Sequence, residues 1–354
     1  MKKLLVFTLF VMMLFVIVGC EPAEEVDAED PDEEVVEPGV QEIRWGTSAV
    51  GSAGHQALVS LMTVLNREMP GFHITVLPTP GAVFSVKEFA QEQLDGYYGA
   101  DIAFYEYARD IDRFEGFQED AIREPIQAFW AYPMEVGLAI HADNIDQYQE
   151  WRDLAGEAVF TGPAAWDVRM NLERAMGILE VNHEYVEQDL GMVSSALEAG
   201  HIEAFIVYTA AESAVAPWII EIELATDIAV LNPSSEEVDL IIEGGMDVVE
   251  VSSDVFETDV HTNTVMLVPF IYGFHLGLDV SEEEVYEMLT IIEEFSEELM
   301  TTDSSYAILH DDMVEMQRRG VVSATDDVKV HPGLARYLQE HGAWDDAWDD
   351  RIAQ

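Results

Sequence analysis

Trp45-Gly-Thr-Ser-Ala-Val-Gly-Ser-Ala-Gly-His-Gln-Ala-Leu58 follows an Ile43-Arg44 pair and runs on into Val59-Ser-Leu-Met-Thr-Val-Leu65. A short apolar start, a run of small residues and apolar positions at Leu58, Leu61, Met62 and Leu65 read as strand, loop and helix. The loop decides what the fold is for. A nucleotide phosphate loop needs Gly-x-x-x-x-Gly-Lys-Ser/Thr, and no lysine stands here; the dinucleotide pattern Gly-x-Gly-x-x-Gly is also missing. What remains is a helix N-terminus whose free amides, at Gly51, Ser52, Ala53 and Gly54, favour a carboxylate or another acceptor. Thr47, Ser48 and Ser52 add hydroxyls. A loop that only caps its own helix is the competing reading.

Outward from this stretch the pattern repeats. The helix ends before Pro70-Gly71, Phe72 to Leu77 is a strand, Pro78-Thr-Pro-Gly81 turns and Val83 to Leu94 is helical. Ala100 to Tyr105 reads as a strand buried on both faces. Ala128 to Ile140 is strand-rich, Ala158 to Phe160 is a strand, and helices follow from Asp167 and over Val193–Ala199. His201 to Tyr208 leads into a further strand and Ala210 to Ile220 reads as helix. Thr264 to Leu278 is apolar but holds Pro269 and His275, so a buried strand and turn are expected. Ser281-Glu-Glu-Glu284 is a capping box, with an apolar stripe from Val285 to Leu299 behind it. Tyr306 to Arg319 continues in helix. Alternation of strands and helices makes the fold α/β, a sheet with helices packed on it.

The ends and the charge set the compartment. Met1-Lys-Lys3, an apolar run from Leu4 to Val18 and Gly19-Cys20 make a bacterial export signal, too short to span a bilayer. Ile17-Val-Gly-Cys20 resembles a lipobox, which implies cleavage before Cys20 and a lipid on that residue. Cys20 is the single cysteine, so no disulfide forms within one molecule. Residues 20–41, rich in acids and prolines, read as a disordered tether. The chain holds 16 Lys and Arg against 70 Asp and Glu, a formal charge of -54. Removing Lys2 and Lys3 with residues 1–19 takes this to -56. Such self-repulsion opposes a compact state in dilute buffer and is screened at molar salt. The expectation is a protein exposed to high salt, with no nucleic-acid partner and no electrostatic attraction to membranes. A Ca²⁺-loaded acidic surface is the alternative.

Together these pieces resemble the TAXI family of solute-binding proteins of TRAP transporters. The resemblance rests on the Thr-Ser-x-x-Gly-Ser-x-Gly loop, the Pro-Gly-Phe-His-Ile-Thr-Val strand leading to Pro78-Thr-Pro-Gly81, Ala100-Asp-Ile-Ala-Phe104, Glu203-Ala-Phe205 and His331-Pro-Gly-Leu-Ala-Arg-Tyr337. It implies a two-lobed periplasmic-binding-protein-like fold with a hinge and a central ligand cleft. Lobe I would take residues 42–126 plus 231–354, and lobe II residues 127–230. It also implies an extracytoplasmic, lipid-anchored receptor that passes a small solute, such as glutamate or 2-oxoglutarate, to transporter membrane subunits. No enzyme activity, cofactor or metal is expected.

The resemblance places four elements at the cleft. The first is the opening loop, with Thr47, Ser48, Gly51, Ser52 and His55. Relatives usually carry Thr-Tyr-Tyr where this chain has Ala53-Gly54-His55, so an aromatic wall is lost there. The second is Tyr105-Glu106, where relatives usually have glutamine at the latter place. The third is Ala165-Trp166-Asp167, in which Asp167 caps the following helix or, with the Trp166 indole, meets a cation. The fourth is Tyr208, at a strand end. Glu106 and Asp167 both add acid, so the expected ligand is zwitterionic or cationic, such as an amino acid or a quaternary ammonium compound, with a dicarboxylate otherwise. Arg169 is the nearest candidate for a carboxylate clamp. An exported hydrolase or metal-binding protein, or a sensor on the same fold, remains open. The acidic runs His310-Asp-Asp312 and Trp344-Asp-Asp-Ala-Trp-Asp-Asp350 lack the spacing of a calcium loop and read as solvated faces.

Overall fold

The computed structural model describes residues 40–354. The export signal, Cys20 and nearly all of the tether lie outside the described residues.

β1 (Gln41–Gly46), α1 (Ala53–Glu68), β2 (Phe72–Leu77), α2 (Ala82–Ala90), β3 (Gly96–Ala100) and α3 (Asp101–Arg109) come first. β1 pairs in parallel with β2 on one side and with β3 on the other. After β4 (Trp130–His141) the same plan returns with β5 (Ala158–Phe160), α4 (Asp167–Ile178), β6 (Glu184–Tyr185), α5 (Val193–Glu198) and β7 (Ala204–Ala210). β5 pairs in parallel with β6 and with β7. β8 (Ala214–Val215), α6 (Pro217–Ala225), β9 (Ile228–Leu231), α7 (Ser235–Glu243), β10 (Val249–Ser252) and β11 (Thr264–Leu276) follow. The chain closes with α8 (Glu282–Glu294), α9 (Ser296–Thr302), α10 (Ala307–Ala324) and α11 (Pro332–Glu340).

Each parallel trio is bordered by one long antiparallel strand, β11 beside β3 and β4 beside β7. The two long strands pair with each other, which joins the halves into one sheet of order β2-β1-β3-β11-β4-β7-β5-β6. The architecture is therefore α/β, two similarly wound halves sharing two long crossing strands. Residues 231–263 do not all return to the first half. Glu237 of α7 accepts the backbone N–H groups of Trp151 and Arg152, which docks that helix on the second half. From there the chain goes back toward the first half along β11.

Local chemistry explains the elements. Leu58, Leu61, Met62 and Leu65 of α1 are all buried, and Ser52 caps the helix by accepting the His55 N–H at 3.2 Å. The capping box of Ser281 and Glu284 starts α8. The stripe behind it stays buried except at the half-buried Phe295, where α8 ends and α9 begins. In His331-Pro-Gly, the His331 ring accepts the Gly333 N–H at 3.1 Å. A Cβ on Gly333 would lie 2.6 Å from the Glu282 carbonyl, so the missing side chain lets α11 lie directly on α8.

Three expectations are corrected. Residues 101–105 are helix, not strand: the strand ends at Ala100, and Asp101 opens α3 by accepting the Ile102 N–H at 2.7 Å. The helix expected over 83–94 stops at Ala90, before Glu92 with φ 60°. Over 210–220 the chain first makes β8, and helix begins at Pro217, where proline suits the first helical position. Over Thr264–Leu278 the expected strand and turn are present, the strand running unbroken through Pro269 to Leu276 and the turn starting at Leu278. Among the described residues no helix is long and apolar enough to cross a membrane.

Pro269 stands opposite Glu135 in the β11–β4 pair, and Glu135 is fully buried. Its Oε2 accepts from the Thr209 hydroxyl at 2.6 Å and the Glu212 N–H at 3.1 Å, while Oε1 has no partner. Burial pushes this carboxyl up from 4.5 to about 7 against those two donors. Between the two values the folded chain binds more protons than the unfolded one, so stability is greatest below the lower value and falls as pH rises through the window. In Glu135→Gln that contribution vanishes. Relative to the parent, the variant should gain about 3 kcal/mol on going from about pH 4 to about pH 8. Denaturant unfolding across that range reads it, and a parallel pair of pH profiles would refute it.

Candidate ligand cleft

In open parallel sheets the loops at the carboxyl ends of strands, where the winding reverses, enclose ligands. Here both halves reverse at their first strand. The loops after β1, β2, β5 and the β7–β8 hairpin bring the N-termini of α1, α2, α4 and α6 around one cavity of about 420 Å³. The first half contributes residues 48–54, Gly81, Ala82 and Tyr98; the second contributes Trp166, Asp167, Val168, Leu190, Tyr208 and the segment from Ala216 to Trp218, with Glu221. Met134 of β4 and Tyr272 of β11 form the floor from the two crossing strands. The loops of the two halves approach closely at Gly81, where a Cβ would lie 3.2 Å from the Ala165 carbonyl.

Of the residues expected at the cleft, Ser48, Gly51, Ser52, Trp166, Asp167 and Tyr208 line this cavity. The Ser48 and Ser52 hydroxyls pair at 2.5 Å. Thr47 does not reach it: the residue is fully buried beneath the loop, with its carbonyl accepting the Thr79 hydroxyl at 2.5 Å. His55 faces a separate groove with Thr302, Asp303 and Ser304. Tyr105 lies between Arg109 and Arg174, whose guanidinium carbons sit 3.7 and 4.3 Å from its ring centre. Ala165 supports the rim against Gly81 without lining the cavity. Arg169 stacks on Tyr185 at 3.9 Å and reaches Glu173 at 3.5 Å, so it is no carboxylate clamp.

Glu106 is also behind the wall, 1 % exposed, and its partner is a residue the sequence did not single out. Arg113 forks onto both Glu106 oxygens at 2.8 and 3.0 Å and extends its remaining nitrogen to Asp167 Oδ1 at 2.5 Å. One cation thus serves two buried acids, one from each half. Burial, with the Asp167 charge added, pushes Glu106 up to about 7 although Arg113 pulls it down. Both carboxylates hold Arg113 protonated well above its ordinary value. Asp167 Oδ2 has no hydrogen-bond partner of normal geometry, though the residue is 1 % exposed and lines the cavity. Burial first, and then the Asp167 charge beside it, hold the Tyr272 proton on far above the usual phenol range.

The α1 end of the cavity takes an aromatic ring from β3. A Cβ on Gly54 would fall 2.5 Å from Cε1 of Tyr98, so the Tyr98 ring fills the place of a side chain at Gly54. Tyr98 stacks on Tyr272 with ring centres 4.3 Å apart, and its hydroxyl pairs with that of Tyr132 at 3.0 Å. Across the cavity the Trp218 indole N–H donates to the Tyr208 hydroxyl at 2.8 Å. Trp218 had a readable signal, the Pro217 that precedes it; Tyr98 was hidden by the misplaced strand end. Among the described residues no group of three or more His, Cys, Asp or Glu converges as metal ligands.

No family model and no curated protein matches the chain. Solved structures do. A putative L-cystine ABC transporter protein from Listeria monocytogenes is 15 % identical over 75 % of this chain and 96 % of its own, with a TM-score of 0.42. The periplasmic aliphatic sulphonate binding protein SsuA from Escherichia coli is 12 % identical over 86 % and 79 %, with a TM-score of 0.43. The GluR0 ligand binding core in complex with L-glutamate is 12 % identical over 75 % and 98 %, with a TM-score of 0.44. At these identities and scores the likeness carries no argument about ligand or partner.

Proposed function

We propose that this chain is an extracytoplasmic receptor for a small organic solute, without catalytic activity, that hands its ligand to transporter membrane subunits. The observation that carries the reading is the cavity itself. It lies at the carboxyl ends of the strands of both halves, under four helix N-termini, and its floor comes from the two strands that connect the halves. α2 and α4 have no side-chain cap, so the amides at their starts face the cavity side unmet by the chain's own side chains, while α6 opens on Pro217, which has no N–H, and offers the Trp218 amide. β4 and β11 are the natural hinge, and closure of the halves would bury the solute. The sequence resemblance adds the TAXI type, TRAP membrane subunits as partners, and anchoring to the cell membrane through a lipid on Cys20. The acid excess adds work in high salt.

The test is thermal unfolding of the full chain in strong salt against amino acids, betaines, dicarboxylates and divalent metals. A ligand that binds only the folded state adds about 2.7 kcal/mol at a hundredfold excess over its dissociation constant. Ala53 lines the cavity yet is exposed, so Ala53→Trp fills the space without disturbing the core. The variant should keep the parent's own melting point and lose the ligand response. A ligand response that survives it would place binding elsewhere, and turnover of any compound would sink the receptor reading.

A further inference from the structure

The cavity wall is unusual in what it offers and in what it withholds. Five aromatic residues line it, Tyr98, Trp166, Tyr208, Trp218 and Tyr272. Among the described residues no lysine or arginine does. Asp167 lines it as well, and its buried Oδ2 has no hydrogen-bond partner of normal geometry, with Tyr272 beside the carboxylate. The Arg113 guanidinium is shared by two acids, and the exposed Glu221 adds a further carboxylate to the lining. Against that, three helix N-termini without side-chain caps bring partial positive charge to the same space.

Resting on the receptor reading, we infer that the cavity takes a zwitterion whose carboxylate meets the helix N-termini and whose cation is an N-methylated ammonium held against Asp167 and the aromatic wall. A dicarboxylate fits poorly because no cationic side chain awaits its second charge, while the Asp167 and Glu221 carboxylates of the lining repel it. A primary ammonium brings three N–H donors and needs three acceptors. With the Ser48 and Ser52 hydroxyls engaged with each other, Tyr208 with the Trp218 N–H and Tyr98 with Tyr132, the wall's carboxylate acceptors are the buried Asp167 on α4 and the exposed Glu221 on α6, which do not form one three-acceptor cluster on a single element. Methyl groups on nitrogen remove the unmet donors and spread the charge over a surface that aromatic faces attract.

The experiment is calorimetric titration of the full chain with four probes: trimethylglycine, 3,3-dimethylbutanoate, choline and glycine. 3,3-Dimethylbutanoate has the shape of trimethylglycine without the cation; choline keeps the cation and lacks the carboxylate; glycine keeps both charges without the methyl groups. Trimethylglycine should bind at least about 100-fold tighter than each of the others, the scale on which a desolvated ion pair or cation–aromatic interaction acts. Asp167→Asn should remove most of the preference over 3,3-dimethylbutanoate, and Trp218→Leu should weaken trimethylglycine more than 3,3-dimethylbutanoate. Equal binding of 3,3-dimethylbutanoate, or tighter binding of glycine, overturns the inference. Tight 2-oxoglutarate or glutamate binding that Ala53→Trp abolishes also overturns it, yet leaves the receptor reading standing. If no probe and no other solute binds in the cavity, both fall.

Discussion

Arg113→Met should destabilise the fold by about 3–5 kcal/mol, the range seen when one partner of a buried ion pair is removed. The reason is the balance of charge. Among the described residues Arg113 is the sole cation within salt-bridge distance of Glu106 and Asp167, whose side chains are 1 % and 0 % exposed. Methionine fills much of the guanidinium's stem but leaves two carboxylates close together with nothing to neutralise them. Protonation is then their main relief: without Arg113 the Glu106 carboxyl rises above its value of about 7, so the loss should be greatest in alkaline medium and shrink as pH falls toward about 7. A triple variant that also carries Glu106→Gln and Asp167→Asn should recover most of the loss, because an uncharged cluster asks for no counter-ion. Denaturant unfolding in constant salt measures all of these. A loss under about 1 kcal/mol, insensitive to pH, would mean that solvent reaches the cluster and that the halves are not held together there.

That cluster also shows where sequence reading stops. The strand–loop–helix of residues 41–68 was legible because punctuation and period agreed: small residues in the loop, an apolar face at helical spacing, Pro70-Gly71 at the end. The capping box at Ser281 was legible for the same reason, a local signal with a local cause. The end of β3 was not. Gly96 and Gly99 weaken a strand by propensity, yet they are there for packing. A Cβ on Gly96 would meet the Trp45 ring at 2.8 Å, and one on Gly99 the Tyr97 ring at 3.1 Å. The apolar run after Asp101 then drew the strand forward into what is helix, and Tyr98 went unnoticed as a wall of the cleft. Glu106 reads from the sequence as a cleft contact and instead stands behind the wall, while Asp167 lines the cavity and also pairs with Arg113. Their meaning depends on Arg113, 54 residues from Asp167, and no local pattern encodes such a pair.

In dilute buffer the full chain should lose cooperative folding, and it should regain it in molar sodium chloride. The change must reach at least about 5 kcal/mol, the low end of ordinary fold stability. The cations of this chain are overcommitted. Arg336 alone lies within salt-bridge distance of Glu282, Glu283 and Glu340, and Arg67 serves both Glu68 and Glu298. Lys87, one of four lysines in the sequence, is drawn inward, donating to the Arg113 carbonyl at 2.5 Å with Phe114 and Phe117 about its ammonium. Most acids therefore face other acids across water, and a Debye length near 3 Å at about 1 M salt cuts that repulsion where a length near 30 Å at about 0.01 M does not. Screening depends on ionic strength and not on the cation, so choline chloride should serve as well as sodium chloride. If millimolar calcium restores folding where the same ionic strength of sodium does not, the surface is built to hold calcium and the salt reading fails. The same repulsion acts with Glu135: lowering pH discharges surface and core acids together, so the pH of greatest stability at low salt should lie on the acid side and move upward as salt is added.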